Sequence, residues 1–424
     1  MLLSSNQSSK SGVLQRISYA IFKDKRPAVF ISLVVIFILG AYLRFDFITS
    51  VKHNVSHDTK GYDILVRQLF EDGVYAYKDT KPNAQVTPGY PIFMAAVYKM
   101  VDYQNHDPYP YIRYIQVGIS LLTMYIIYRL ARRLGGTGVG IAATAISAIY
   151  PSFVWSNGAV LTEVLCTFFL TMYLYMQLVA FEKKTWPYAL GSGLLLGLTV
   201  LVRPEFLPLI VVCHAVAYLW KRNWKEILKL LIITSLGLGI ALSPWVIRNI
   251  VTLNKVVVAS TQVNPFAAGT YPNKNYDDDM VDRKGKTQME VAKERLYVGF
   301  TQHTWEYVQW YTVGKLVYTY GKMFFGAGHS PYYEVIPLLP RNALHWLLIG
   351  FFPVTLVACI RRWRQPAFMF LTVIVAMSMV RLLFVPETRY NYTVMPLIII
   401  LDCLVAAGII KWFKQRKQPM IQQK

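Results

Sequence analysis

Some ionisable residues of this chain stand beside long apolar runs, where they could do chemistry. Asp58 follows the first such run, with His57 beside it. A loop carboxylate can take a proton from a hydroxyl; the same side chain can instead cap the helix that follows. Arg203, Arg248 and Arg389 each lie at an end of an apolar run, near Pro204, Pro244-Trp245 and Pro386-Glu387. An arginine in that place can grip a phosphate or anchor a helix end at the headgroups. Glu163 and Glu205 lie on the same side and can hold those arginines or sugar hydroxyls. Asp277-Asp278-Asp279 could offer hard oxygen ligands to a divalent ion, but three adjacent acids in a polar loop read better as solvated. No metal and no other cofactor is expected. Asp402 lies inside the last apolar run and reads as a buried, hydrogen-bonded carboxylate.

The elements that position these groups follow from composition. The chain has 424 residues, 54% hydrophobic and only 16% charged, against about 25% charged in an ordinary globular protein. About 20 apolar residues cross a bilayer as a helix. The sequence predicts an all-α, polytopic membrane protein with ten helices, at about 28–48, 110–131, 137–155, 160–181, 186–202, 205–220, 227–247, 342–360, 366–385 and 393–413. The first run has no small-residue cleavage site and reads as a retained anchor. Cys166, Cys213, Cys359 and Cys403 all fall within predicted spans and read as packing residues.

The net charge of +21 is a topology signal. With the N-terminus inside, the cytoplasmic turns and tails carry 22 of the 44 basic residues and only 3 of the 23 acids, as the positive-inside rule requires. Basic residues spread over short turns do not make a nucleic-acid face. Both termini are expected in the cytoplasm, with tails 1–27 and 414–424 and a single transmembrane domain over 1–424.

Two outside segments, about 49–109 and 248–341, are far longer than helix connections need, and such loops carry function. In the first, Tyr62, Leu65, Val66, Leu69 and Phe70 share one face of a helix, predicted to lie flat on the membrane surface. Then come Thr87-Pro88-Gly89-Tyr90-Pro91 and a short apolar run, Ile92 to Met100, read as a second surface or re-entrant helix. The second segment holds a polar helix around Met289 to Phe300 and an aromatic stretch from Trp305 to Phe325. That stretch reads as an interfacial belt, or as stacking platforms for sugar rings or a lid over a lipid entrance.

An outside aspartate after the first span, a Tyr four residues on, an amphipathic helix and a Pro-Gly-Tyr-Pro element together resemble the GT-C glycosyltransferases. The likeness is to the bacterial branch related to protein O-mannosyltransferases and the lipid A aminoarabinose transferase. Tyr150-Pro151-Ser152, Leu161-Thr162-Glu163, Arg203-Pro204-Glu205, Pro244 to Asn249 and Glu387-Thr388-Arg389-Tyr390 agree with it. No Trp-Trp-Asp motif of the oligosaccharyltransferases is present. The resemblance implies inverting transfer of a sugar from a polyprenyl-phosphate donor to a lipid, glycan or protein acceptor outside the cytoplasm. It implies Asp58 as base, donor phosphate on Arg389, Arg203, Arg248 and Lys81, and substrate contacts from His57, Tyr90, Glu163, Glu205 and Tyr390. The competing class is a transporter or flippase of lipid-linked sugars, which would favour repeats and charges near the midplane.

Overall fold

The structure, a computed structural model, describes residues 25–417, so most of both expected tails lies outside the described residues. Helices form at all ten apolar runs. In chain order the helices are α1 (Lys25–Ser50), α2 (His57–Glu71), α3 (Gly89–Val101), α4 (Tyr109–Gly135), α5 (Thr137–Ile149), α6 (Pro151–Trp155), α7 (Glu163–Lys183), α8 (Trp186–Val202), α9 (Leu209–Lys221), α10 (Trp224–Leu253), α11 (Asn264–Gly269), α12 (Gln288–Gln302), α13 (Thr304–Gln309), α14 (Lys315–Tyr320), α15 (Ala343–Arg361), α16 (Ala367–Arg381), α17 (Arg389–Tyr392) and α18 (Met395–Lys417). A two-residue ribbon pairs β1 (Lys52–His53) with β2 (His329–Ser330).

Six of these helices, α1, α4, α7, α10, α15 and α18, are long and apolar enough to span a membrane by themselves. A seventh span is broken: α5 and α6 meet at 60°, where Pro151 cannot continue the α5 hydrogen-bond ladder. Two runs give shorter helices than expected. The run at 205–220 becomes a 3-10 turn and then α9, and the run at 366–385 gives α16 with 15 residues; α8, with 17, fills the run at 186–202. All three stop or start beside the polar cavity described below. Irregular backbone at such depth is tolerable where it lines a wet cavity.

Packing inside the bundle is close. A Cβ on Gly193 of α8 would lie 2.0 Å from the Thr234 carbonyl of α10, and one on Gly237 would lie 2.3 Å from the Leu190 carbonyl. Only glycine permits that helix contact. Arg44 of α1 is fully buried; it donates to Ser120 Oγ (2.8 Å) and to the carbonyls of Gly40, Ser147 and Ala148. It therefore ties α1 to α4 and α5. Asp402 is buried and accepts from Thr355 Oγ1 at 2.6 Å, joining α18 to α15. All four cysteines are buried and free.

The first long segment departs from the surface-helix expectation. Leu65 and Val66 of α2 are fully buried in the protein, while Ile64 and Phe70 are the exposed apolar residues. The helix packs its apolar face on α3 and the loop after it, because that face meets Tyr77 and Tyr90 through Tyr62. In the second segment a capping box, Thr287 with Glu290, starts α12. Asp277 and Asp279 are exposed as expected. Asp278 is not solvated: it takes a bidentate pair from Arg295, at 2.5 and 2.7 Å, whose side chain is fully buried. The aromatic stretch divides. Tyr307 and Trp310 are buried and donate to the Thr270 and Gly269 carbonyls, whereas Trp305, Val313 and Val317 face outward.

Candidate active site

The ends of α1, α8 and α16 and the starts of α7, α9 and α18 gather at one end of the bundle. A cavity of about 460 Å³ opens there. It is lined by Asp58, Tyr62 and Tyr77 from the first segment, Thr162, Arg203 and Glu205 from the helix connections, and Arg389 and Tyr390 from α17. Val202, Leu207, Pro208, Val380 and Phe384 make another part of its wall apolar. The two long segments meet across it: Ser260 Oγ donates to the Gln85 carbonyl at 2.5 Å, and Thr261 N to the Ala84 carbonyl at 2.9 Å.

Asp58 sits in the first turn of α2 but does not cap it. The cap is Ser56, whose Oγ accepts from Thr59 N at 3.1 Å. Thr59 Oγ1 in turn donates to the Val160 carbonyl at 3.0 Å, which fixes the helix start against the chain entering α7. The Asp58 carboxylate is thereby left free to face the cavity. Arg389 Nη1 donates to its Oδ2 at 2.6 Å and Tyr77 OH to its Oδ1 at 3.4 Å. Burial opposes ionisation of Asp58, but the charge and hydrogen bond of Arg389, with Lys78 and Tyr77, hold its pKa below the ordinary carboxylate value. Desolvation and the neighbouring Asp58 charge push the Tyr77 hydroxyl up.

Behind this pair lies an alternating network. Arg203, extended between α8 and the next turn, donates to Thr162 Oγ1 and Glu163 Oε1, both at 3.0 Å. Its Nη1 lies 3.8 Å from Glu205 Oε1. Arg381, the last residue of α16, donates to Glu205 Oε1 at 2.9 Å and to Thr393 Oγ1 at 2.7 Å. Burial pushes the Glu205 pKa up, yet the charges of Arg381 and Arg203 outweigh it, and the value falls below the ordinary one. Tyr390 is the hub: Arg203, Arg381 and Arg389 lie 5.4, 5.7 and 5.8 Å from its ring centroid. Such contacts favour a cation over an aromatic face. Nη1 of Arg203 and Nη1 of Arg381 are buried and have no hydrogen-bond partner among the described residues. Buried donors of this kind suit an anion.

Of the residues singled out in the sequence, Asp58, Glu163, Arg203, Glu205, Arg389 and Tyr390 thus come together. Five do not line the cavity: Glu163 stands behind it as the partner of Arg203, and the other four lie elsewhere. Arg248 is held between Tyr75 and Trp245 and donates to the Asn83 and Tyr75 carbonyls, both at 2.8 Å. That makes it a clamp on the 75–83 loop. Lys81 and His57 are exposed. Tyr90 is buried and donates to Gln116 Oε1 at 3.2 Å. Its neighbour Gly89 explains the Pro-Gly-Tyr-Pro element: a Cβ there would lie 2.6 Å from the Leu201 carbonyl, so the glycine lets α3 dock on the end of α8. Sequence reasoning missed Arg381, which looked like part of a span, and Lys78, whose ammonium lies 5.2 Å from the Tyr77 ring centroid beside Asp58. An arginine eight residues before Arg389 in an apolar run was the available signal.

Residues 85–247 match the family model of the dolichyl-phosphate-mannose-protein mannosyltransferases. The whole bundle aligns with the oligosaccharyltransferase AglB of Archaeoglobus fulgidus in complex with an inhibitory peptide and a dolichol-phosphate. The TM-score is 0.58 at 13% identity, over 93% of this chain and 52% of that one. ArnT from Cupriavidus metallidurans bound to undecaprenyl phosphate aligns with a TM-score of 0.55 at 15% identity, over 89% of this chain and 58% of that one. The chain has the GT-C fold. It spans about half the length of the oligosaccharyltransferase structures it matches. No curated protein sequence matches it. Within the GT-C fold, the matched region 85–247 supplies Thr162, Arg203 and Glu205 of the cavity, and the flanking chain supplies Asp58 and Arg389.

Proposed function

We propose that this protein is a membrane glycosyltransferase. It moves a sugar from a polyprenyl-phosphate donor to a hydroxyl of a lipid, glycan or protein acceptor on the non-cytoplasmic face. The observation that carries the reading is the Asp58–Arg389 pair, 2.6 Å apart, on the wall of a cavity that is charged on one part and apolar on another. A polyprenyl phosphate has that same division: an anionic head and a hydrocarbon tail.

In the proposed step the acceptor oxygen attacks the anomeric carbon while the bond from that carbon to the phosphate oxygen breaks. Asp58 takes the hydroxyl proton, and the polyprenyl phosphate leaves with the electron pair. A single displacement from the opposite face inverts the anomeric centre. Arg389 and Arg203 neutralise the leaving phosphate, which is electrostatic stabilisation where charge develops. Arg389 has two tasks in sequence. Paired with Asp58 it keeps the carboxylate ionised but weakly basic. Once it turns to a donor phosphate, burial dominates at Asp58 and its basicity rises. Arg381 and Glu205 position Arg203 and Tyr390 and need not touch the sugar.

The charges gather at one end of the bundle, which favours chemistry at a surface over the midplane site a transporter would use. The test is turnover. Purified protein in lipid, given a panel of polyprenyl-phosphate sugars, should release polyprenyl phosphate and a glycosylated acceptor seen by mass spectrometry. Movement of the intact donor between leaflets, with no bond broken, would establish the flippase instead.

A further inference from the structure

A second cavity, of about 380 Å³, lies at the opposite end of the bundle, between the end of α15, the start of α16 and the last turns of α18. Its base holds Arg361, Arg362 and Gln365; Leu404, Val405 and Ile409 form an apolar wall. Trp412 and Phe413, about half exposed, flank it. No acid lines it, and among the described residues no carboxylate pairs with Arg361 or Arg362.

The arginines stand on a built turn. Arg362 N donates to the Cys359 carbonyl at 3.1 Å and Gln365 N to the Arg362 carbonyl at 2.9 Å. Trp220 Nε1 of α9 donates to the Trp363 carbonyl at 2.6 Å, which fixes the turn to a neighbouring helix. Asp402, one turn deeper, is engaged by Thr355 and does not reach the cavity.

We propose that this cavity binds a glycerophospholipid with a net negative headgroup. Its phosphate lies on Arg361 and Arg362, and one acyl chain runs along Leu404, Val405 and Ile409. The charge and the wall choose the occupant together. A soluble anion gains nothing from the aliphatic wall. A zwitterionic lipid brings an ammonium that the arginines repel. Trp412 supplies an amphipathic ring of the kind that settles at headgroup depth, and Phe413 adds an apolar ring beside it. Basic pockets between spanning helices on the positively charged side hold anionic lipids by the same physics.

The experiment uses the full chain in phosphatidylcholine nanodiscs titrated with phosphatidylglycerol, bound lipid being counted by native mass spectrometry. Wild type should retain phosphatidylglycerol over phosphatidylcholine by about 30-fold, the scale set by two basic contacts. The double variant R361Q/R362Q should lose that preference. So should Leu404→Trp, which fills the cavity with both arginines in place. Arg222→Gln, at the same end but in the turn after α9, should keep it. Equal retention of both lipids by wild type would overturn the site. So would equal loss in Arg222→Gln, which would mark a diffuse charge effect, or equal binding of free glycerol phosphate, which would mark a soluble anion.

Discussion

Asp58→Asn separates catalysis from structure because the fold needs so little from this side chain. The helix start is secured by Ser56 and Thr59, which the substitution leaves alone. What disappears is an ion pair at 2.6 Å whose partners are each about one third exposed, at 32% and 31%. Solvent screens such a pair, and its contribution to stability is about 1 kcal/mol or less. Melting in detergent should therefore shift by only a few degrees. The loss in transfer should be far larger, about 10²–10⁴-fold, as for removal of a general base. Donor binding should hold or tighten, because Arg389 no longer has a carboxylate to leave. The assay is single-turnover transfer from a polyprenyl-phosphate sugar, with the donor dissociation constant measured alongside. Turnover within about tenfold of wild type would refute the reasoning, since no base removal is that mild. Loss of turnover that tracks loss of folded protein would reduce Asp58 to a structural partner of Arg389.

Other outcomes test the neighbouring claims. Arg389→Ala should weaken transfer strongly while Arg389→Lys keeps part of it, because a point charge retains attraction but not the bidentate fork; full activity in both would make Arg389 a headgroup anchor. Lys315 is buried, and desolvation lowers its pKa to about 7. Between that value and the ordinary lysine pKa the unfolded chain binds a proton that the native one does not, so stability should rise with pH, by at most about 1.4 kcal/mol per pH unit. Melting followed from pH 7 to 9 should show this rise in wild type and a flat profile in Lys315→Met. Reporter fusions at residues 60 and 300 should read outside, and those at 222 and 420 inside; a cytoplasmic reading at residue 60 would remove the enzyme model. Chelators should leave transfer unchanged, given that Asp278 is held by Arg295; activity lost to chelator and restored by Mg²⁺ or Mn²⁺ would bring the 277–279 loop into the chemistry.

The sequence by itself determined the helices and the general place of the chemistry. A bilayer accepts only chain that satisfies its own backbone, so apolar runs of fixed length announce themselves one at a time. Asp58, Arg203 and Arg389 were legible for the same reason, as charges left at the ends of such runs. Packing decided the rest. Asp58 and Arg389 are 331 positions apart and meet only because α2 docks beside α17. The apolar face of α2 looked ready for lipid, since periodicity marks a buried face but not what buries it; Tyr77 and Tyr90, packed on Tyr62 of that face, take that place. Arg248 and Arg203 look alike in the sequence, each at a span end. Tertiary structure gives the first to the carbonyls of the 75–83 loop and the second to the cavity. Arg381 was hidden because hydropathy averages a lone charge into its apolar neighbours. Only the fold, which ends α16 there and places Glu205 2.9 Å away, makes that charge part of the site.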